Sequence, residues 1–393
     1  MLKRTLYTED HELFRQQCQR FFEREVLPSH EQWEEEGVVP RSIWLKAGAA
    51  GLLCPSIPEE YGGAGADFLY HAAMSEAQGR AGAFGPGFFV HSDICTPYII
   101  NHGTDEQKRR YLPGAASGEC IVAIAMTEPG TGSDLQGIQT SAVRDGDDWI
   151  INGSKTFISN GQLADVCIVV ARTDPNAGSK GFTLFLVDSD VPGYVKGRNL
   201  KKVGLKAQDT SELFFENVRV PASAVLGEVG QGFGYLMQEL AQERLSIAIL
   251  AAAAAEGALQ HTIEYVAERR AFKKAIGEFQ HTRYTIAELA TQVEVTRQFV
   301  DQCTKAHLSR ELDAATAAMA KLFSSEVQGK VADAGVQLHG GYGYMWEYPI
   351  ARAWADARIQ RIYGGTSEIM KELIARKVVD PVVRERQSVR RGN

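Results

Sequence analysis

Glu243 sits where a charged side chain is costly. In the run GFGYLMQELAQERLSIAILAAAAAE, residues 232–256, Phe233, Leu236, Leu240, Ile247, Leu250 and Ala254 recur at steps of three and four. That is the stripe of a buried helix face. Glu243 falls on it, three residues after Leu240 and four before Ile247. A carboxylate there must be paired, hold its proton more tightly than in water, or line a cavity whose chemistry requires it. Spacing alone leaves open an ion pair with an arginine of a neighbouring helix and a base poised for proton transfer.

Other stretches could hold a polar ligand. The run MTEPGTGSDL, residues 126–135, combines Pro129, two close glycines and the hydroxyls of Thr127, Thr131 and Ser133. Such a loop offers backbone N–H groups and hydroxyls to a polar ring edge or a phosphate, or is simply a tight turn. A second hydroxyl and aromatic cluster, Thr156-Phe157-Ile158-Ser159, ends a nearby strand. In QRIYGGTSEIMKELIAR, residues 360–376, Gly364 and Gly365 directly precede a helix start. Free N–H groups there can bind an oxyanion or polarise a carbonyl, and glycines admit a close ligand. Arg269, in the run ERRAFKK, could serve a pyrophosphate or favour its helix end. There is no GxxxxGK[ST] or GxGxxG fingerprint, no HExxH, and no metal-ligand spacing, so nicotinamide-linked Rossmann and zinc-hydrolase chemistry has little support.

The elements that must position these groups fall into three expected domains: a helical one over 1–120, a β domain over 121–228 and a helical bundle over 229–393. Thr8 is expected to cap a first helix that turns Leu13, Phe14, Phe21, Phe22 and Val26 inward. In the middle, IVAIAM, DDWII, SKTFI, DVCIVVA, FTLFLV and SELFFENVRV read as strands of a barrel or sandwich. Asp145-Gly146 and Asn152-Gly153 read as hairpin turns. Arg283–Arg310 and Asp313–Leu338 are long enough for a bundle pair. Thr366 or Ser367 is expected to cap a final helix with Glu368 in its first turn, and the tail beyond Asp380 reads as a flexible basic end. The 393 residues carry a formal charge of -7, which argues against a general nucleic-acid binder. The six scattered cysteines suggest thiols in a reducing compartment. The Ala251–Ala255 run is too short for a membrane span, and no signal-peptide pattern opens the chain.

These residues resemble the acyl-CoA dehydrogenases. MTEPGTGSDL, GSKTFISNG, VQLHGGYGY and IYGGTSEIMKELIAR occur in that family's order, and the resemblance extends over about residues 5–380. Most members have their catalytic glutamate where this chain has Gly364. Here the motif reads Tyr363-Gly364-Gly365-Thr366, and the long-chain and isovaleryl branches place the base on the helix holding Gln242-Glu243-Arg244. The strings around Glu243 and Gly364 look most like the long-chain branch. The resemblance implies FAD-dependent α,β-dehydrogenation of an acyl-CoA, with Glu243 as base, in an apolar pocket that raises its pKa, and the Gly364 N–H polarising the thioester. It implies flavin contacts from Ile124, Ala125, Met126, Thr127, Gly132, Ser133, Phe157, Ile158 and Ser159. Arg269, Phe272 and Gln280 would reach the FAD pyrophosphate and adenosine. Gln337, Leu338, His339, Gly340 and Gly341 would do so from a neighbouring subunit, with Thr366, Ser367 and Glu368 completing the site. Substrate contacts would come from Ser133, Ser179, Lys180, Ala241, Gln242, Arg244, Gly364, Gly365 and Arg376. Gly234 stands where long-chain enzymes have a tyrosine, which leaves pocket depth open. The family implies a homotetramer passing electrons to electron-transfer flavoprotein, in a bacterial cytoplasm or, as a processed chain, the mitochondrial matrix. Rival readings are an isovaleryl-type enzyme, an oxygen-reacting acyl-CoA oxidase or flavin monooxygenase, and a non-catalytic acyl-CoA-binding protein.

Overall fold

The computed structural model describes residues 2–391. Six helices come first: α1 (Glu9–Phe21), α2 (His30–Glu36), α3 (Arg41–Ala49), α4 (Phe68–Ala81), α5 (Thr96–His102) and α6 (Asp105–Ser117). Strands β1 (Val122–Ala125), β2 (Ser141–Asp145), β3 (Asp148–Ser159), β4 (Val166–Arg172), β5 (Phe182–Asp188), β6 (Tyr194–Asn199), β7 (Thr210–Pro221) and β8 (Val225–Leu226) follow. The chain then returns to helix with α7 (Gly232–Glu268), α8 (Gln280–Leu308), α9 (Ala314–His339), α10 (Pro349–Ala357), α11 (Ser367–Val378) and α12 (Asp380–Arg391). The expected helix–β–helix order is the observed one. Packing divides the chain into two compact units: a β unit of Leu13–Met74 and Ala83–Glu239, and a helical unit of the residues up to Glu12, Ser75–Gly82 and those from Leu240 onward.

In the β unit the strands form one sheet in the order β6-β7-β3-β2-β4-β5-β8, with β1 parallel to β4. Strands β4 and β5 are buried almost throughout, so they read as continuous apolar runs. Trp149, Ile151, Val169, Phe185, Leu213 and Phe215 fill the core. The Asp145-Gly146 turn forms as expected, with Asp145 paired to Asp148. Asn152-Gly153 does not turn the chain; β3 continues through it with a register shift between Ile151 and Gly153. Gly153 is needed for another reason: a Cβ there would lie 2.4 Å from Thr140 Oγ1. Leu13 in α1 faces outward, while Phe21 at its end and Phe22 and Val26 just beyond it are buried as expected.

In the helical unit Ala255, Ala258, Leu259, Leu289, Val293, Val327, Val331 and Ile350 form the core shared by α7, α8, α9 and α10. The stripe around Glu243 is wider than expected. From Glu243 to Ala255 every residue of α7 is buried, so this stretch is enclosed on all sides. The Ala251–Ala255 run is therefore the middle of a 37-residue helix, which by length and mean hydropathy of 1.2 could cross a membrane. Since 78% of that apolar window is buried inside the protein, it is a core helix. The basic tail is also a correction: Asp380–Arg391 is helical, with Asp380 in the first turn and 3.6 Å from Arg384 Nη2. An acidic residue in the first turn complements the helix dipole.

Candidate active site

In the helical unit, Glu243 is 5% exposed on α7, beside the equally buried Arg244. One turn on, Ile247 packs on Gly364, so closely that a Cβ at 364 would lie 2.3 Å from Ile247 Cδ1. Arg244 Nε donates a long 3.5 Å hydrogen bond to the Gly364 carbonyl. Burial pulls the Arg244 guanidinium below its ordinary value, and the Glu243 charge acts in the opposite direction. Lys321 Nζ, on α9, donates to the Gly365 carbonyl at 2.6 Å. Gly364 and Gly365 have φ of 63° and 100°, the left-handed region that favours glycine. Thr366 caps α11 by accepting from Ile369 N at 3.3 Å, and Glu368 follows in the first turn. Glu243, Arg244, Gly364, Gly365 and Thr366 are thus brought to one patch. Ala241 and Gln242 are half-buried on α7 just before it.

A second group lies at one end of the helical unit. Tyr265, Arg269, Gln337, Leu338, His339, Gly340, Gly341 and Tyr342 line an open cavity of ≈ 590 Å³. The His339 ring stacks on Tyr265 with centroids 4.0 Å apart. His339 Nδ1 bonds the Gly335 carbonyl at 2.7 Å. The Arg269 guanidinium lies over Tyr342, 5.4 Å from its centroid. Phe272 is 89% exposed at φ 50°. Gln280 opens α8 and donates to Tyr284 Oη at 2.7 Å. Arg376 stands apart, paired along α11 with Glu372 at 2.8 Å.

In the β unit, the loop after β1 and the end of β3 are tied together. Thr156 N donates to the Thr127 carbonyl at 2.9 Å. Lys155 Nζ donates to the Met126 carbonyl at 3.1 Å and to Glu128 Oε1 at 2.9 Å. Glu128 also accepts from Gln139 N at 2.6 Å and Thr140 N at 2.9 Å. Burial works against the Glu128 charge, but Lys155 and these donors outweigh it and hold its carboxyl below the usual range. Burial brings the Lys155 ammonium down to about 8, with Glu128 opposing. Ile124, Ala125, Met126 and Thr127 belong to this seam, and Gly132 and Ser133 are exposed on the loop. A register shift between Lys155 and Ile158 leaves Phe157 at φ 59° and 67% exposed, while Ile158 turns inward and Ser159 is half-buried. Ser179 and Lys180 lie exposed in the short Gly178–Gly181 turn before β5.

Three further buried charges stand beside these residues within their own units: Glu128, Lys155 and Lys321. Glu128 and Lys155 lie in polar, glycine-containing runs that give no local sign of burial, and Lys321 lies on an alanine-rich helix without the regular apolar stripe that marks Glu243. For Lys321 the alanine-rich context AATAAMAKLF could have revealed it.

The N-terminal, middle and C-terminal domains of the acyl-CoA dehydrogenases match residues 8–119, 123–218 and 230–379. The chain belongs to the acyl-CoA dehydrogenase family. It is similar to the long-chain specific acyl-CoA dehydrogenase, mitochondrial, of Sus scrofa, at 55% identity over 96% of this chain and 88% of the relative. An acyl-CoA dehydrogenase from Geobacillus kaustophilus superposes with TM-score 0.93 at 47% identity, covering 95% of this chain and 99% of the other. A glutaryl-CoA dehydrogenase from Mycobacterium smegmatis, solved in complex with FADH2, superposes with TM-score 0.89 at 29% identity over 95% of each chain. The protein is therefore a flavoprotein oxidoreductase of a FAD-dependent family. The residues present fit such a cofactor. Cβ atoms built at Gly130, Gly132, Gly340 and Gly341 would meet nothing within 4 Å, so backbone stands open to a ligand at both sites.

Proposed function

We propose that the protein oxidises medium- to long-chain or branched fatty acyl-CoA thioesters to trans-2-enoyl-CoA, with Glu243 as the base. FAD, when bound, supplies the hydride acceptor. Glu243 takes the α-proton, and the Gly364 N–H donates to the thioester carbonyl to stabilise the developing enolate. The observation that carries this is the packing of Gly364 on Ile247, one helical turn from Glu243, with Arg244 on the Gly364 carbonyl. A proton acceptor and a carbonyl-polarising donor thus belong to one patch. The enclosure of α7 excludes water from the base.

Ile124–Thr127, Gly132, Ser133 and Phe157–Ser159 are proposed to face the flavin. Arg269, Phe272 and Gln280 are assigned to its pyrophosphate and adenosine, with Gln337–Gly341 contributed by a neighbouring subunit and Thr366–Glu368 completing the site. Ser133, Ser179, Lys180, Ala241, Gln242, Arg244, Gly365 and Arg376 are proposed to contact the acyl-CoA. A domain division at 1–120, 121–228 and 229–393 is supported by the three family matches. A homotetramer is proposed from family membership, and exposed Tyr344, Met345 and Trp354 support an interface between copies. Electron-transfer flavoprotein is the proposed acceptor, and the long-chain name of the pig relative supports a role in β-oxidation. That relative's mitochondrial name and the Geobacillus structure support either the matrix or a bacterial cytoplasm.

The test is an anaerobic titration of the holoprotein with straight and branched acyl-CoAs, following flavin absorbance. Bleaching is expected, and the best substrate separates the straight-chain from the isovaleryl-type reading. Rapid reoxidation by air of the product-bound enzyme would favour an oxidase. Glu243→Gln is expected to keep FAD and bind acyl-CoA yet lose nearly all flavin reduction; reduction at the normal rate would remove Glu243 as base.

A further inference from the structure

Two adjacent glycines at positive φ make the softest backbone a chain can offer. Nothing intrinsic to Gly364-Gly365 holds one peptide plane steady, yet an N–H donor works only if its aim is preset. The aim must come from what grips the turn. Two cations do so: Arg244 from α7 on the Gly364 carbonyl, and Lys321 from α9 on the Gly365 carbonyl. The Lys321 contact is much the shorter, and Lys321 is 0% exposed. A buried ammonium is a costly way to satisfy one carbonyl. Burial, followed by the Arg244 charge, brings Lys321 down to about 8, with Glu368 from α11 opposing. An apolar residue would fill the same space without that cost.

We propose that Lys321 is a positioning residue for the reaction: its ammonium on the Gly365 carbonyl, with Arg244 on the Gly364 carbonyl, locks the two-glycine turn so that the Gly364 N–H stays aimed at the thioester. The inference rests on Gly364 being the carbonyl-polarising donor. It adds a residue that acts through the backbone, by its hydrogen bond to the Gly365 carbonyl. Arg244 alone does not suffice, because its contact is long and leaves the peptide after Gly365 unheld, so the turn could still pivot about the second glycine.

The experiment compares wild type, Lys321→Met and Lys321→Gln as holoenzymes. Gln keeps an N–H donor without the charge. Flavin reduction by a good acyl-CoA is followed anaerobically, and the carbonyl stretch of bound trans-2-enoyl-CoA is recorded by Raman difference spectroscopy. Lys321→Met is expected to keep its FAD and a KM within about threefold, while the limiting rate falls about 10- to 100-fold, the scale of a small misplacement of a catalytic group. The bound carbonyl stretch moves toward its value in free product, with Gln intermediate. A wild-type rate and wild-type carbonyl frequency in Lys321→Met would overturn the proposal, and so would weakened binding with an unmoved frequency. If Met does not fold, the Gln variant decides. Failure of both to take up FAD assigns Lys321 to folding and also overturns it. A wild-type protein that no acyl-CoA reduces would instead sink the reading of the reaction itself.

Discussion

Glu243 is the proposed base, the family resemblance implies a base at the position of Gly364 in most members, and Ile247, one helical turn from Glu243, packs on Gly364. Gly364 is not free to become a glutamate at no cost. A Cβ there would meet Ile247 Cδ1 at 2.3 Å, and the residue sits at φ 63°. The methyl end of isoleucine can swing aside, but left-handed backbone costs a non-glycine residue about 1–2 kcal/mol. In the Glu243→Gln background, Gly364→Glu alone is therefore expected to restore only a small part of flavin reduction, and adding Ile247→Ala to restore more. Stopped-flow reduction rates check this; equal recovery with and without the Ile247 change would show that packing is not what separates the two positions.

At the level of elements, β3 and the loop after β1 behave as one piece because of a buried ion pair. Lys155 is 1% exposed and holds both Glu128 and the Met126 carbonyl. Lys155→Met would leave the Glu128 carboxylate buried with its two backbone donors but no cation, and breaking such a pair costs about 3–5 kcal/mol. The expected outcome is a lower thermal midpoint and weaker FAD retention, since the loop bearing Gly132 and Ser133 loses its anchor. Calorimetry and flavin content after dialysis check it, and an unchanged flavin content would separate the ion pair from the cradle. The same elements show what the sequence makes legible. The period of α7 was readable, and so was the Thr366 cap, because both are local. Lys155 was not, because its burial depends on a carboxylate 27 residues away. Asn152-Gly153 misled for the converse reason: a strong local turn signal was overridden by the approach of the strand to Thr140. Lys321 and Glu243 are alike as buried charges on apolar helices, yet only one lay in a stripe regular enough to expose it.

At the scale of the whole chain, the start of the sequence is pinned to segments far along it, a tertiary fact with no local signature. Arg4 donates to Glu76 on α4, 72 residues on, with Nη1 at 2.7 Å from Oε2. It also reaches Asp301 on α8, 297 residues on, with Nε at 2.8 Å from Oδ2. Tyr7 Oη adds a hydrogen bond to Glu76 at 2.9 Å. Burial pushes Glu76 up, but Arg4, Arg297 and Tyr7 outweigh it and hold the carboxyl below its ordinary 4.5. A carboxyl depressed on folding stabilises the native state above its unfolded pKa, and that contribution fades as pH falls through the lower folded value. In Arg4→Ala the main partner is gone while burial remains, so the Glu76 pKa rises and the buried charge becomes a liability at neutral pH. The expected loss is about 3–5 kcal/mol near pH 7. It shrinks toward acid pH as Glu76 takes up its proton, which happens at higher pH in Arg4→Ala than in wild type. Urea midpoints of wild type and Arg4→Ala from pH 7 down to 3 test this directly: the two curves should converge at low pH, and a constant offset would mean that Arg4 acts through packing of its stem and not through its charge.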